Sequence, residues 1–382
     1  MKKRTEVKCF VQPGEGAAPL VQAIGRAKKT IEIVIFRFNR REIEKALAEA
    51  VIRGVHVHAL IAFTNRGGEQ RLRDLEMRLL AAGVTVSRTD NDLVRYHGKL
   101  MIIDRRVLYL LAFNFTYLDM ERTRSFGIVT TNRQHVAEAA KLFDADTKRQ
   151  PYTAGSATFI VSPVNARKQL VEFLQKAKKE LLIYDPEISD PEIVRVLEAR
   201  IKAGVSLRII GRVKSPRKVL PAPRRSPIRL HTRTIVRDGS WAFVGSQSLR
   251  TLELDARREV GLLFHDQQAV AKLARTFEED WEGGAQRVAA QAVPDEERAA
   301  EHIAAAKVAK KVAKALTEEL PPVKPVIELT VRELAGENPN VNIDHKEVEE
   351  TVKQAVQDAV RQVVRDYVEE AVETQGAGGK VA

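Results

Sequence analysis

Cysteine is almost absent from this chain of 382 residues: Cys9 stands alone, which excludes an intrachain disulfide and fits a reducing compartment. No uncharged apolar run reaches the length of a membrane-spanning helix, and the best candidate, residues 107–115, is only strand-sized. The N-terminal stretch MKKRTEVKCFVQPGEG is basic but has no apolar segment of signal-peptide length. A cytoplasmic location is therefore expected, with reversible peripheral contact at the inner membrane face. A glycine-rich phosphate loop of the P-loop or dinucleotide-binding type is also missing, which argues against nucleotide-driven chemistry.

What the chain has in plenty is charge, unevenly spread. The net charge is +12, yet residues 285–382 hold 13 Lys+Arg against 18 Asp+Glu, a net of −5. Residues 1–284 therefore carry +17, a field that attracts polyanions, whether nucleic acid or an anionic lipid surface.

An internal repeat organises the basic part. Val11-Gln-Pro13 and Leu20-Val-Gln-Ala-Ile-Gly-Arg-Ala-Lys-Lys29 match Val161-Ser-Pro163 and Leu170-Val-Glu-Phe-Leu-Gln-Lys-Ala-Lys-Lys179 at an offset of 150. Each unit reads as strand, helix, buried apolar strand, helix, strand, which predicts α/β architecture with sheets flanked by helices. Two such units in tandem predict a pseudo-two-fold arrangement of lobes, 1–150 and 151–284. Farther on the offset is 134. The first unit has a predicted helix over 70–82 where the second has a proline-rich, basic loop over 211–236, with Lys214, Arg217, Lys218, Arg224 and Arg225.

Beyond residue 284 the composition turns to Ala, Val, Glu and Lys, and a charged helical extension is expected over 285–382. One helix is predicted over 295–320, stopped by Pro321 and Pro322, and another over 344–374 with Asp344 as N-cap. The valines at 348, 352, 356, 360, 364, 368 and 372 form a stripe suited to packing, oligomerisation or partner binding. Residues 376–382 are expected to be disordered.

The chemistry lies in two matching motifs. Arg95-Tyr-His97-Gly-Lys99 leads to Asp104 and Asn114; 134 residues on, Arg229-Leu-His231-Thr-Arg233 leads to Asp238 and Gly245-Ser246. On a strand, His-x-Lys puts both side chains on one face. An imidazole can attack phosphorus or protonate a leaving oxygen, while a neighbouring cation binds the non-bridging oxygens. His56 and His58 also share a strand face, but no Cys or carboxylate pattern completes a metal site around them.

On these residues the sequence resembles the phospholipase D superfamily, over roughly 5–284. The resemblance implies two tandem phospholipase D-like lobes meeting at one site, with no metal and no cofactor. It implies His97 and His231 as nucleophile and general acid, Lys99 and Arg233 as the phosphate clamp, and Asn114 and Ser246 lining the pocket. Asp104 and Asp238 would support the two motifs. The motifs also depart from the family pattern. Arg233 replaces a lysine, and its exchange for Lys is expected to be tolerated. Leu111-Ala112 replaces Gly-Ser in the first motif, and Ser248 replaces Asn in the second. The family's carboxylate is present as Glu259, which would orient His231; its counterpart is Ser125, which leaves Asp119 or Glu121 for His97.

Three functional classes follow. Asn114-Phe-Thr-Tyr-Leu-Asp119 resembles bacterial cardiolipin-synthase-like members, so phosphodiester chemistry on anionic phospholipid is favoured, as hydrolysis or phosphatidyl transfer. A metal-independent nuclease is the alternative, supported by the +17 field and the basic loop. A degenerate nucleic-acid- or lipid-binding scaffold is the third.

Overall fold

The computed structural model describes residues 7–63, 69–214 and 220–290. Arg217, Lys218 and the expected C-terminal helices and tail lie outside them.

Local signals start the elements. Asn132 accepts hydrogen bonds from the Gln134 and His135 N–H groups, and Asp190 does the same for Glu192 and Ile193, each capping a helix. Pro191 occupies the first turn of the second of these, where its missing N–H costs nothing.

The first half runs β1 (Val7–Gln12), α1 (Ala18–Arg26), β2 (Thr30–Ile35), α2 (Arg41–Ile52), β3 (His56–Ile61), α3 (Glu69–Ala81) and β4 (Thr85–Arg88). It continues through β5 (Arg95–Tyr96), β6 (Leu100–Ile103), β7 (Val107–Leu111), α4 (Tyr117–Glu121), β8 (Thr123–Thr130) and α5 (Arg133–Lys148). The second half repeats this as β9 (Phe159–Val161), α6 (Ala166–Gln175), β10 (Glu180–Ile188), α7 (Pro191–Lys202) and β11 (Ser206–Val213). It closes with β12 (Arg229–Leu230), β13 (Arg233–Arg237), β14 (Trp241–Gly245), α8 (Thr251–Asp255), β15 (Arg257–Arg258), β16 (Val260–Phe264) and α9 (Gln267–Ala290). Among the described residues, nothing matches α3 and β4 between β11 and β12.

Both sheets are mixed. The first follows the order β1-β8-β7-β6-β2-β3-β4 and the second β11-β10-β13-β14-β16-β9. In the first, β2, β3 and β4 pair parallel and the remaining neighbours antiparallel. Each half buries its own apolar cluster, around Ile33, Leu47 and Phe113 in the first and Phe173, Ile183 and Leu197 in the second. A third cluster takes residues from both: Leu100, Ile102, Phe126 and Phe143 meet Val161, Tyr184, Val244 and Phe277. Both halves thus belong to one unit, which extends to Arg287.

The ends of the halves are also interleaved. β12 pairs parallel with β8, joining Arg229 to Thr123 and Leu230 to Arg124. β15 pairs parallel with β5, joining Arg257 to Arg95 and Arg258 to Tyr96. The two pairings map onto each other at the 134-residue offset. Ion pairs repeat the symmetry, Arg124 with Asp280 at 2.6 Å and Arg258 with Asp146 at 3.1 Å.

Asp104 and Asp238, expected to support the chemistry, sit at the far end of their strands from the histidines. Asp104 takes the N–H groups of Lys28, Lys29 and Thr30, and Asp238 those of Lys178, Lys179 and Glu180, at 2.6–3.1 Å. Each fastens the start of β2 or β10 to the neighbouring strand. Both residues adopt φ near +50°, a conformation that Asp and Asn tolerate better than most residues. Burial alone would raise these carboxyls, but the N–H donors outweigh it and hold both below the ordinary range.

Their stabilisation is complete above the unfolded-state pKa and disappears as pH falls through the lowered folded value. Asp104→Asn and Asp238→Asn keep the backbone shape, so each should lose about 1–2 kcal/mol at pH 7. Denaturant unfolding should show the deficit shrinking toward pH 3.

Candidate active site

His97 precedes β6 and His231 precedes β13, and the interleaved strands set both. The His97 N–H donates to the Arg258 carbonyl at 2.7 Å, and the His231 N–H to the Arg124 carbonyl at 3.2 Å. Each histidine's backbone is thereby held by the opposite half. The two rings face each other with centroids 6.5 Å apart, and Phe36 packs edge-on against His97 at 4.6 Å.

The same interleaving exchanges the carboxylates. Glu259 follows β15 and therefore meets His97, its Oε2 lying 2.8 Å from Nδ1. The expectation that Glu259 orients His231 is thus corrected: it supports the histidine of the other half. His231 has Ser125 at the equivalent place and turns its Nδ1 to the Ala112 carbonyl, 3.0 Å away. Asp119 lies 3.7 Å from that Nδ1 and serves His231, whereas Glu121 pairs with Arg40 at 2.9 Å. Neither carboxylate serves His97.

A carbonyl or carboxylate beside Nδ1 requires a proton on that nitrogen, so in the neutral ring Nε2 carries none. At His97, Nε2 then accepts a hydrogen bond from Lys99 Nζ at 2.7 Å. Lys99 is wholly enclosed, at 0% exposure, and its ammonium also lies over the Phe36 ring. Burial pushes Lys99 well down against the pull of Glu259, and the charge of Arg233 adds to the lowering. Burial and the charges of Lys99, Arg233, Arg95 and Arg257 push His97 well below its usual value. Burial likewise lowers His231, but there Asp119 pulls the other way. Burial raises Glu259, with Lys99 opposing. Burial would raise Asp119 too, but His231, Arg229 and the Asn114 N–H outweigh it and hold it well below the carboxylate range.

Arg233 donates from Nε to Ser248 Oγ at 3.2 Å and from a terminal nitrogen to the His231 carbonyl at 2.6 Å. Asn114 gives both its backbone and side-chain N–H to Asp119, and its Oδ1 is buried with no protein partner. Ser246 accepts the Val260 N–H beside Glu259. The structure thus gathers His97, Lys99, His231, Arg233, Asn114, Ser246 and Glu259, and leaves Asp104 and Asp238 outside. It adds Arg229, which opens the second motif without an expected role and bonds Asp119 at 2.7 Å. Another loop cation is also engaged: Arg224 stacks on Trp281 at 4.0 Å.

Among the described residues no group of three or more His, Cys, Asp or Glu is placed to hold a metal ion. His56 and His58 lie edge to face, and His58 bonds Ser87.

The family model described as "Cardiolipin synthase, PLD-like domain" matches residues 20–147 and 170–281, one segment in each half. No curated protein matches the chain by sequence. Among solved structures, polyphosphate kinase from Porphyromonas gingivalis is similar at 17% identity and a TM-score of 0.60, over 71% of this chain and 46% of that one. The chain thus spans about half the length of that kinase. Phosphatidylserine synthase from Haemophilus influenzae Rd KW20 is similar at 12% identity and a TM-score of 0.55, over 73% and 85%. At these identities the likeness is one of fold.

Both histidines should therefore be neutral Nδ1–H tautomers at pH 7 in the free protein. Nitrogen-15 spectra of histidine-labelled protein check this. Resonances of a doubly protonated ring at either position would contradict the lowering that burial imposes.

Proposed function

We propose that this chain, which belongs to the cardiolipin synthase, PLD-like domain family, cleaves or transfers phosphodiesters through a covalent phosphohistidine, with anionic phospholipid as substrate. The observation that carries this reading is the pair of imidazoles, one from each half, with centroids 6.5 Å apart and each with Nδ1 held by a protein oxygen.

The environments divide the roles. His97 is surrounded by cations that keep it neutral, and a carboxylate holds its Nδ1–H, which suits it to attack phosphorus from Nε2. His231 has the anionic Asp119 beside it, which favours imidazolium once a bound phosphodiester adds its own negative charge. It then gives its Nε2 proton to the leaving oxygen as that bond to phosphorus breaks. In the second half-reaction His231 takes a proton from water or an alcohol, whose oxygen attacks phosphorus and releases His97. Lys99 and Arg233 bind the non-bridging oxygens as negative charge gathers on them. Asn114 and Ser246 line the site, and Glu259 and Asp119 position the imidazoles.

The family description and the +17 charge of residues 1–284 support an anionic lipid substrate. Contact with the bilayer would be peripheral, since among the described residues no helix is long and apolar enough to cross it. The same charge also supports the alternative, a metal-independent nuclease.

The test is turnover of labelled phosphatidylglycerol vesicles and of single-stranded DNA, side by side, in excess EDTA with ethanol present. Lys99 and Arg233 supply the charge a divalent ion would otherwise bring, so activity should survive chelation. The phosphatidyl group should pass partly to ethanol, giving phosphatidylethanol. His97→Ala and His231→Ala should each lower turnover by about 10³-fold or more, and the double variant little further. DNA cleavage without lipid turnover would establish the nuclease, and turnover of neither would leave a scaffold.

A further inference from the structure

The two halves build their phosphate-clamp cations differently. In the first half Lys99 lies beside β2, across from Ile35, in the register set by Val34 opposite Leu100. At the 150-residue offset Ile35 corresponds to Asp185, which lies beside Arg233 in the register set by Tyr184 opposite Thr234. Ile35 and Asp185 are each 1% exposed. Where one half buries an aliphatic side chain, the other buries a carboxylate, an expensive exchange unless the charge is partnered.

It is partnered. The Leu249 and Glu187 N–H groups each donate to Asp185 at 2.8 Å. The Ser248 hydroxyl acts on the same carboxylate by hydrogen bonding and the Arg233 guanidinium by charge. Ser248 also accepts Arg233 Nε. Burial pushes the Asp185 carboxyl up to about 6, so it is mainly anionic at neutral pH.

The backbone is adapted as well. The register of β10 on β11 shifts between Asp185 and Ile188, a bulge of the kind that re-aims a side chain. Opposite it, Gly211 has φ +145°, and a Cβ there would lie 1.7 Å from the Asp185 carbonyl oxygen. Only glycine lets β11 approach so closely. The paired position in the first half is Ile61, in regular register with Ile35.

We propose that Asp185 is the positioning residue of Arg233, acting through Ser248 and through its own charge to aim the guanidinium at the phosphate. Arg233, Ser248, Asp185 and Gly211 then form one unit rather than separate departures from the motif. The expectation that lysine is tolerated at 233 gives way to its opposite. A lysine has no Nε–H donor part-way along its stem to bond Ser248, and its single ammonium cannot reproduce the planar fork.

This inference rests on the phosphate-binding role proposed for Arg233, and a double-mutant cycle tests it. The variants are Asp185→Asn, Arg233→Lys and the two combined, each measured for turnover of a soluble chromogenic phosphodiester, affinity for inorganic phosphate by calorimetry, and Tm. Asp185→Asn should lower kcat by about 10–100-fold and weaken phosphate binding. In the Arg233→Lys background it should change either by less than about threefold. Tm shows that each variant is folded under the assay conditions. Equal losses of kcat and affinity in both would overturn the proposal and leave Asp185 as a cap for the Leu249 and Glu187 N–H groups. If Asp185→Asn fails to fold, Ser248→Ala should show the same coupling. Phosphate affinity is read without turnover, so an inactive wild-type protein would sink the phosphodiesterase reading and still leave the positioning claim testable.

Discussion

Two backbone hydrogen bonds that cross between the halves set the rest of the site. The N–H of each histidine is held by a carbonyl of the opposite half, at Arg258 and at Arg124. Those carbonyls are in place because short parallel strands pair across the junction, and because the same two arginines reach onward to Asp146 and Asp280. Asp280 takes Arg124 and the Tyr184 hydroxyl together. Both partners of these pairs are largely out of water, where losing one member typically costs about 3–5 kcal/mol. Neither half holds a complete site by itself: Glu259 comes to His97 from the second half, and the Ala112 carbonyl and Asp119 come to His231 from the first.

The pseudo-symmetry is most informative where it fails. A symmetric site would surround both imidazoles alike, yet a two-step displacement needs one of them neutral and one protonated. Glu259 has Ser125 as its counterpart, Asn114 has Ser248, Lys99 has Arg233 and Ile35 has Asp185. The first and third give the two histidines different neighbours, and the fourth changes what lies beside the clamp cation. The first half supplies a neutral imidazole among cations, and the second an imidazole beside an anion pinned by Arg229 and Asn114.

Much of this architecture was legible in the sequence because a repeat shows itself by spacing alone. The offsets of 150 and 134 mark the two halves, the strand-helix order and the α3 insertion without any knowledge of contacts. His97, Lys99, His231 and Arg233 were legible for the same reason. What spacing cannot show is which half reaches across. Glu259 is 28 residues from His231 and 162 from His97, and only the interleaving of β5 with β15 makes the distant partner the real one. Asp104 and Asp238 share the motif's spacing with the chemical residues, and the resemblance could not show that they lie at the other end of a strand, holding backbone rather than substrate. Asp185 was not legible, because its meaning depends on a bulge and on Gly211.

The central claim is that one covalent phosphohistidine forms in a site shared by both halves, and that His97 carries it. The most direct measurement is peptide mass spectrometry of the His231→Ala variant, mixed with a nitrophenyl phosphodiester, whose leaving group departs without a proton, and quenched in base, where phosphohistidine survives. Without the base that activates water, the variant should accumulate the intermediate, with the phosphorus-containing adduct on the peptide bearing His97. An adduct on His231 in the His97→Ala variant, with none on His97 in the reciprocal experiment, would contradict the account.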